Sequence, residues 1–234
     1  GLRAYFLNMF ENERSTTVVS KRDATRGRIR DAAIASFRER GYDATTLRLV
    51  AAECELAVGS AYYHFPSKQH LLQEVFLDAV QRQRDEATTR FEGTTDLIER
   101  VRIAFTTGLE SLGPYSAHAG EFLSAMTAPG SPVNPLSPES GPAREIATDV
   151  FREAVAGARQ SLPKDVAEAL PDALWTAYLL LALFWVSDAS PGRERTATLL
   201  DRGLRLAAMV LPLLRLPVLR GPIREGLALV AAVR

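Results

Sequence analysis

Apolar residues recur every three or four positions along most of this chain, and that period predicts helices. The first predicted helix spans residues 23–40, where Ile29, Ala33 and Phe37 share one face and arginines occupy the others. Gly41 follows and predicts a left-handed end to this helix. Strictly alternating apolar and polar runs, which indicate strands, do not occur. The pattern therefore predicts an all-α fold.

Three further elements are predicted close behind the first helix. Thr45 and Thr46 offer hydroxyl caps for a short second helix. A third runs over Val58–Phe65 and ends at Pro66, because the residue before a proline is driven out of the helical region. Ser67 then caps a long fourth helix. Two short helices joined by a tight turn and braced by another helix form a helix-turn-helix, which predicts that the third helix enters the major groove of DNA.

The remaining pattern predicts a larger helical region with one long loop. Helices are expected at 96–112, 115–127, 141–161, 164–188 and 192–215, with a short terminal helix at 222–233. The loop spans residues 129–142, and its Pro, Gly and Ser content indicates mobility. We therefore expect a loose N-terminal arm at 1–22, a DNA-binding domain at 23–72 and a second helical domain at 73–234.

The charge distribution supports a DNA-binding role for the N-terminal part. The 234-residue chain is 47% hydrophobic and 24% charged, and its formal net charge is zero. Residues 21–72 nevertheless carry nine basic and six acidic side chains, a net +3, and the rest is mildly acidic. This asymmetry matters more for a nucleic-acid partner than the sum does.

Several classes of protein are not favoured by the sequence. The single Cys54 excludes an intramolecular disulfide and is expected to be a buried structural thiol, which points to a reducing cytoplasm. The longest apolar run, Ala173–Val186, is shorter than the ~20 residues that span a bilayer, so it predicts a core or interface helix and no membrane partner. The first twenty residues lack a signal-peptide pattern. No catalytic motif and no His/Cys set with metal-ligand spacing is found, so we expect neither an enzyme, a cofactor nor a metal.

The stretch AYYHFPSKQHLL, residues 61–72, carries the candidate chemistry. Gly59 and Ser60 are small enough for a close approach to the duplex, and the hydroxyls of Tyr62 and Tyr63 can reach phosphates or base edges. Lys68, at the start of the fourth helix, can reach a phosphate beside free backbone N–H groups. The predicted DNA contacts are Thr45, Thr46, Arg48, Gly59, Ser60, Tyr62, Tyr63, His64 and Lys68.

Each of these residues also has a purely structural interpretation. Tyr62 and Tyr63 fit half-buried aromatic residues that bridge the third and fourth helices. His64 either contacts phosphate or covers a helix end, and Arg48 is either a groove contact or a solvated side chain. Thr45 and Thr46 act first as caps.

Residues 24–72, about a fifth of the chain, resemble the N-terminal domain of the tetracycline-repressor (TetR) family. The resemblance rests on Arg-x-Arg-Ile at residues 26–29, on Phe-x-x-x-Gly-Tyr-x-x-Thr-Thr at 37–46, and on Tyr-Tyr-His-Phe-x-Ser-Lys at 62–68. It implies a homodimeric transcriptional repressor whose C-terminal domain binds a small molecule and thereby releases DNA. The apolar character of that domain favours a hydrophobic or amphiphilic effector.

Two positions depart from the family pattern. Glu55 stands where the family usually has Gly in the turn, and Ala57 stands where Ser or Thr commonly caps the recognition helix. A non-glycine residue with positive φ is strained, and a lost cap costs about 1 kcal/mol. We therefore expect Glu55→Gly to strengthen operator binding. The alternative hypothesis is a helical small-molecule-binding protein whose DNA binding is weakened or lost.

The resemblance also requires a cavity and a dimer interface in the second domain. Aromatic and apolar residues on inner helix faces, with His118 and its neighbour Glu121 as polar groups, are the candidates for the cavity, although each is also consistent with plain core. The predicted ligand contacts are Phe105, Leu109, His118, Phe122, Met126, Phe151, Trp175 and Tyr178. The last two long helices carry more apolar surface than one layer needs, so we expect a four-helix dimer interface rather than a self-covered monomer. The predicted interface residues are Leu180, Leu183, Phe184, Leu199, Leu206, Met209 and Val210.

Overall fold

A computed structural model describes residues 20–215 together with 221–222, 225–226 and 228–229, and all regular structure within them is helical. The predicted all-α fold is therefore confirmed. Residues 20–215 form nine α-helices, α1 Lys21–Ala44, α2 Leu47–Glu53, α3 Val58–His64, α4 Lys68–Phe91, α5 Leu97–Leu112, α6 Ala119–Thr127, α7 Gly141–Ala156, α8 Lys164–Ser187 and α9 Glu194–Val210. Short 3-10 segments occupy Gly113–His118, Pro138–Ser140, Pro191–Arg193 and Leu211–Arg215.

The two ends of the chain lie partly outside the described residues. Helix α1 begins at Lys21 because the Ser20 hydroxyl caps it, accepting a hydrogen bond from the Asp23 N–H at 3.1 Å. The last two residues of the predicted arm are therefore helical, and residues 1–19 are outside the described part. Most of the predicted terminal helix at 222–233 also lies outside it, although the positions described there are helical.

Gly41 turns the chain near the end of α1. Its φ of 82° is positive, as predicted, but its ψ of −177° is extended rather than left-handed helical. A Cβ here would come within 2.5 Å of side-chain atoms of both His118 and Glu121. Glycine is therefore required at this position both by the backbone conformation and by the close approach of α6.

Glycine and proline explain where the observed helices differ from the predicted ones. The segment predicted as one helix at 115–127 begins as a 3-10 turn containing Pro114, and α6 starts only at Ala119. Helix α7 ends at Ala156, before Gly157, instead of continuing to residue 161. Helix α9 gives way after Val210 to a 3-10 turn that contains Pro212.

The buried residues form two hydrophobic clusters that share α4. The first joins the inner faces of α1–α3 to Leu71 and Val75 of α4, and also takes in Tyr115, Phe122 and Val133. The second contains Ala87 of α4 and the inner residues of α5, α7 and α8. The helix-turn-helix thus shares its core with α6 and the long loop, and α4 connects this core to the rest of the helical bundle.

The long loop between α6 and α7 is more extensively bonded than its composition predicts. Successive turns are closed by backbone hydrogen bonds, such as that from the Ser137 N–H to the Asn134 carbonyl at 2.9 Å. The Gln73 amide on α4 donates to the Pro132 carbonyl at 3.1 Å. Val133 is fully buried. The loop is therefore packed onto α4 rather than extending into solvent.

Candidate nucleic-acid interface and apolar cavity

The turn between α2 and α3 has the geometry of a Schellman helix end. The Leu56 N–H donates to the Ala51 carbonyl at 2.9 Å and the Glu55 N–H to the Ala52 carbonyl at 3.0 Å. Glu55 occupies the left-handed position with φ of 54°, where glycine is usual. Ala57 is the N-cap of α3 and makes no side-chain cap. Both features match the two expected departures from the family pattern.

Helix α3 presents most of its surface to solvent. Of its seven residues only Ala61 is buried, and Tyr62 and Tyr63 are 52% and 68% exposed. Gly59 is also exposed, and Ser60 is half-buried. The tyrosines therefore do not bridge α3 and α4 as half-buried residues, and the exposed face of α3 is free to meet a duplex.

Two residues, Arg26 and His64, make the contacts that fix the end of α3. The Arg26 guanidinium donates to the His64 carbonyl at 3.1 Å, lies over the Phe65 ring at 4.2 Å and forms an ion pair with Glu74 of α4. His64 is half-buried and packs edge-on to the Tyr63 ring at 5.2 Å. The sequence analysis named Arg26 only as part of the family motif and predicted no contact for it. A helical pattern does not show which arginine packs against other parts of the protein.

Thr45 is a predicted DNA contact that the structure places in the interior. It is fully buried, its hydroxyl donates to the Gly41 carbonyl at 2.7 Å, and it lies 3.1 Å from the Ser36 hydroxyl. Thr46, by contrast, is exposed, and its hydroxyl caps α2 by accepting from the Leu49 N–H at 3.1 Å. The prediction was therefore wrong for Thr45, because the first of the two threonines closes the core and only the second reaches the surface.

Lys68 is also engaged within the subunit. Its ammonium donates to the carbonyls of Tyr42 at 2.6 Å and Asp43 at 3.3 Å, and it lies over the Tyr42 ring at 4.0 Å. Burial lowers the pKa of Lys68, and the nearby Asp43 carboxylate opposes this shift. Instead of facing a phosphate as predicted, Lys68 ties the start of α4 to the junction of α1 and α2.

The geometry leaves one accessible set of candidate DNA contacts. Arg48 is exposed on α2, which packs directly against α3. The candidates that remain accessible are Thr46, Arg48, Gly59, Ser60, Tyr62, Tyr63 and His64.

A largely apolar cavity of about 450 Å³ lies between α4, α6, α7, α8 and the long loop. Four of the predicted ligand contacts, Phe122, Met126, Trp175 and Tyr178, line it. The sequence analysis missed Tyr115, which belongs to the 3-10 turn before α6. The volume falls in the range of about 300–1,000 Å³ that is typical of small-molecule sites.

The other four predicted ligand contacts do not line this cavity. Phe105 and Phe151 pack edge-on at 5.3 Å inside the second cluster, and both also contact the Tyr178 ring. Leu109 packs against the same cluster. Tyr178 thus stands between the two phenylalanines and the cavity, and all three residues pack in or against the core. The fourth, His118, faces α1.

His118 and Glu121 fasten α6 to the end of α1. One carboxylate oxygen of Glu121 accepts from the Asp43 N–H at 2.9 Å, and the other lies 2.9 Å from His118 Nδ1. His118 Nε2 lies 3.4 Å from the Glu39 carbonyl. The backbone N–H of Asp43, followed by His118, holds the pKa of Glu121 below its usual value. We call these contacts between His118, Glu121 and the α1 end around Gly41 the α1–α6 clasp.

Aromatic residues of the cavity wall extend the same junction. Phe122 packs edge-on against Phe37 at 6.0 Å and against Tyr42 at 6.4 Å, both on α1. The Tyr115 hydroxyl lies 3.4 Å from Arg38 Nε. Burial raises the pKa of Tyr115, and this effect is larger than the opposing effect of Arg38. Two side chains that line the cavity therefore touch the helix that leads into the helix-turn-helix.

The outer face of α8 and α9 is apolar, and none of the residues that the structure describes covers it. All seven predicted interface residues are exposed, including Leu206 at 59% and Met209 at 66%. Only Thr196 and Leu204 of α9 are buried. Within the described residues, α8 alone is long and apolar enough to cross a membrane by length and composition, a property that core and interface helices share.

The described residues contain no group of three or more His, Cys, Asp or Glu side chains that is placed to hold a metal ion. Cys54 is buried, as predicted, and its thiol lies 3.5 Å from the Arg28 carbonyl.

Comparison with known families identifies both halves of the chain. Residues 29–75 match the model of bacterial regulatory proteins of the tetR family. Residues 100–229, more than half of the chain, match the tetracyclin repressor-like C-terminal domain. The chain belongs to the TetR family. This TetR-family protein therefore carries the helix-turn-helix domain of the tetR-family bacterial regulatory proteins, as the motif at residues 62–68 predicted.

Individual relatives of this TetR-family protein are regulators of the same kind. It is 35% identical over 108 residues to an uncharacterized HTH-type transcriptional regulator of Mycobacterium tuberculosis, and the match covers 46% of this chain and 47% of the relative. It is 33% identical over 104 residues to the HTH-type transcriptional repressor KstR2 of the same organism, and this match covers 43% of this chain and 50% of KstR2. The chain thus spans about half the length of the curated relatives that it matches.

Solved structures of the family share the fold. A TetR transcriptional regulator from Nitrosomonas europaea superposes with a TM-score of 0.57 at 21% identity, over 80% of this chain and 99% of that one. FadR from Thermus thermophilus, a TetR-family repressor crystallised with lauroyl-CoA, gives a TM-score of 0.57 at 25% identity, over 77% and 92%.

Proposed function

We propose that this regulator is a repressor that leaves its operator when a hydrophobic small molecule occupies the cavity. The observation that carries the proposal is the position of α6, which forms part of the cavity wall and is hydrogen-bonded through the α1–α6 clasp to the junction before the helix-turn-helix. KstR2 is a repressor, and FadR was crystallised with an acyl ligand, which supports the same arrangement here.

The coupling route that we propose runs from α6 through α1. We expect an effector in the cavity to shift α6, which forms part of the cavity wall, and to pull α4 as a result. The contacts of α6 lead first to α1, through Phe122 and the α1–α6 clasp. From there they reach α4 through Lys68 and through the ion pair of Arg38 with Asp78 at 3.2 Å. An effector moves this equilibrium only by its differential affinity for the two states.

The protein should act as a homodimer on double-stranded DNA. A helix-turn-helix dimer presents two recognition helices about 34 Å apart, or a multiple of that, to successive turns of one face of the duplex. The apolar face of α8 and α9 is the surface we assign to the partner subunit. Because bacterial operator DNA is cytoplasmic, we propose that the protein works in the cytoplasm.

Fluorescence anisotropy on a duplex from the DNA flanking its own gene tests this function. We expect specific binding that weakens steeply with salt, because phosphate contacts release counterions. Native mass spectrometry should identify a molecule that co-purifies with the protein. This molecule should lower the affinity of the protein for operator DNA, and operator DNA should lower the affinity of the protein for this molecule by the same factor. Operator binding that is unchanged when that molecule saturates the protein would contradict the proposal.

A second candidate function has specific support. Glu55 is held at φ of 54° and places a carboxylate in the turn, and α3 starts without a side-chain cap. These features favour a small-molecule-binding protein with weakened DNA binding. The same anisotropy measurement separates the two functions. The alternative predicts that the protein binds its ligand but has equal affinity for the flanking duplex and for a duplex of scrambled sequence.

A further inference from the structure

The chemistry of the cavity wall is uneven. Nearly all of the described residues that line it are apolar, and Arg144 is the only charged one among these. Arg144 lies near the start of α7, where the long loop joins that helix. Asn134 and Ser140, which also line the cavity, belong to the same loop and its junction with α7. Two polar side chains thus accompany Arg144 at the loop side of the cavity, and Ser111 and Thr127 are further polar residues of the wall.

The guanidinium of Arg144 is held in place but not neutralised. Its Nη1 donates to the carbonyls of Pro135 at 2.8 Å and Ser137 at 3.1 Å, and Pro135 itself lines the cavity. These carbonyls fix the side chain without cancelling its charge. Arg144 makes no ion pair with a carboxylate of the described residues, whereas Arg152, on the same helix, pairs with Glu145 and Asp149.

A fixed cation at the edge of an apolar cavity favours one class of ligand. A charge that is partly removed from water is costly unless an opposite charge pairs with it, and a guanidinium pairs best with a planar anion through two parallel hydrogen bonds. The two carbonyl contacts use Nη1 only, so the N–H groups of Nε and Nη2 remain for such a pair.

We propose that the effector is an amphipathic molecule with a single anionic head group, and that Arg144 binds this head while the apolar part lies along Phe122, Met126 and Trp175. This inference rests on the proposed function, since it names the ligand class of the same cavity. It also assigns a role to the long loop, which holds Arg144 through its carbonyls and closes the cavity beside the head group.

The chain supplies its own probe for a test. Its two tryptophans, Trp175 and Trp185, both line the cavity, so intrinsic fluorescence reports on binding there. Dodecanoate, 1-dodecanol and dodecyltrimethylammonium share one apolar tail and differ in head charge. At about pH 7.5 the carboxylic acid is ionised. We expect dodecanoate to bind about 10- to 100-fold more tightly than 1-dodecanol, and the cation to bind most weakly.

Variants assign this preference to one side chain. Arg144→Gln should bring the affinity ratio of dodecanoate to 1-dodecanol close to one without changing 1-dodecanol binding, and Arg144→Lys should retain part of the ratio. Arg152→Gln removes an arginine from the same helix outside the cavity and should behave as the wild-type protein does. If Arg144→Gln does not fold, the ratio in Arg144→Lys and the order of the three probes in the wild-type protein decide the question.

Three results would overturn the inference. These are equal affinities of the wild-type protein for dodecanoate and 1-dodecanol, a ratio that survives Arg144→Gln, and no fluorescence response to either probe up to its solubility limit. Equal affinities with operator release by both probes would reject the role of Arg144 and leave the proposed repressor function standing. If dodecanoate binds tightly but leaves the operator affinity unchanged, the proposed function is rejected and the ligand class still stands.

Discussion

Glu55 carries a backbone strain that a single substitution removes. It occupies the left-handed position of a Schellman turn, where a β-carbon costs about 1–2 kcal/mol. We expect Glu55→Gly to raise the free energy of unfolding by about 0.5–1 kcal/mol, because the relief of strain exceeds the added chain entropy of glycine. It should also strengthen operator binding, since a carboxylate leaves the neighbourhood of the duplex. Urea unfolding and anisotropy measure the two effects.

Glu55→Ala is the matched control for this substitution. It removes the charge but keeps the β-carbon, so it should improve operator binding without a gain in stability. Equal unfolding free energies for the glycine variant and the wild-type protein would show that the turn is not strained. Weaker operator binding by both variants would show that Glu55 does not repel the duplex.

At the residue scale the sequence predicted the helix-turn-helix segment but not which of its side chains are exposed. Thr45 and Thr46 are adjacent and chemically identical, yet only Thr46 is exposed, because the turn after Gly41 directs Thr45 at Ser36. Lys68 turns towards the carbonyls of Tyr42 and Asp43, which belong to a different helix. Such choices depend on the tertiary position of carbonyl groups, which no local pattern reveals.

Among the elements, the α1–α6 clasp is the contact that the proposed coupling depends on. Glu121→Ala removes the acceptor of the Asp43 N–H and the partner of His118. We expect it to lower the free energy of unfolding by about 1–2 kcal/mol and to reduce the factor by which dodecanoate lowers operator affinity. The control is Glu110→Ala on α5, which breaks an exposed ion pair with Arg90 of α4. An unchanged factor in Glu121→Ala would exclude the clasp from the coupling route.

The same carboxylate predicts a pH dependence with a defined sign. The Asp43 N–H and His118 lower the pKa of Glu121 in the folded state. Its stabilising contribution is therefore complete above the unfolded pKa of about 4.3 and is lost as the pH falls through the lower folded value. The difference in unfolding free energy between wild-type protein and Glu121→Gln should therefore shrink as the pH falls from about 5 to below about 4. A difference that grows on acidification would contradict this assignment.

Helix order and approximate boundaries followed from the sequence because each helix carries its own apolar stripe and some of the helices begin at a capping side chain. Ser67 shows how well this works, since its hydroxyl accepts from the His70 N–H at the predicted start of α4. The errors fall where several glycines and prolines compete, as at Pro114 and Gly157. There the choice between a 3-10 turn and an α-helix depends on packing with other elements.

On the scale of the whole molecule, the cavity was the least predictable feature. Its wall combines residues from five helices, a 3-10 turn and the long loop, and periodicity assigns a residue only to the inner or outer side of its own helix. Phe122 and Phe105 both lie on inner faces, yet Phe122 lines the cavity and Phe105 packs behind Tyr178. Arg144 escaped notice because a lone arginine in a helix is usually solvated.

The face of α8 and α9 gives the prediction for the assembly. Exposed apolar patches of this extent mark interaction surfaces, and a closed twofold dimer buries the same face of both copies. Leu206→Glu combined with Met209→Glu places two charges there, so we expect a folded monomer by light scattering and circular dichroism. Because a monomer offers one recognition helix, its operator binding should fall at least about 100-fold. Leu136→Glu adds a charge at an exposed position of the long loop, outside the face of α8 and α9, and should leave the dimer intact. A double variant that remains dimeric would show that the two subunits meet through another surface.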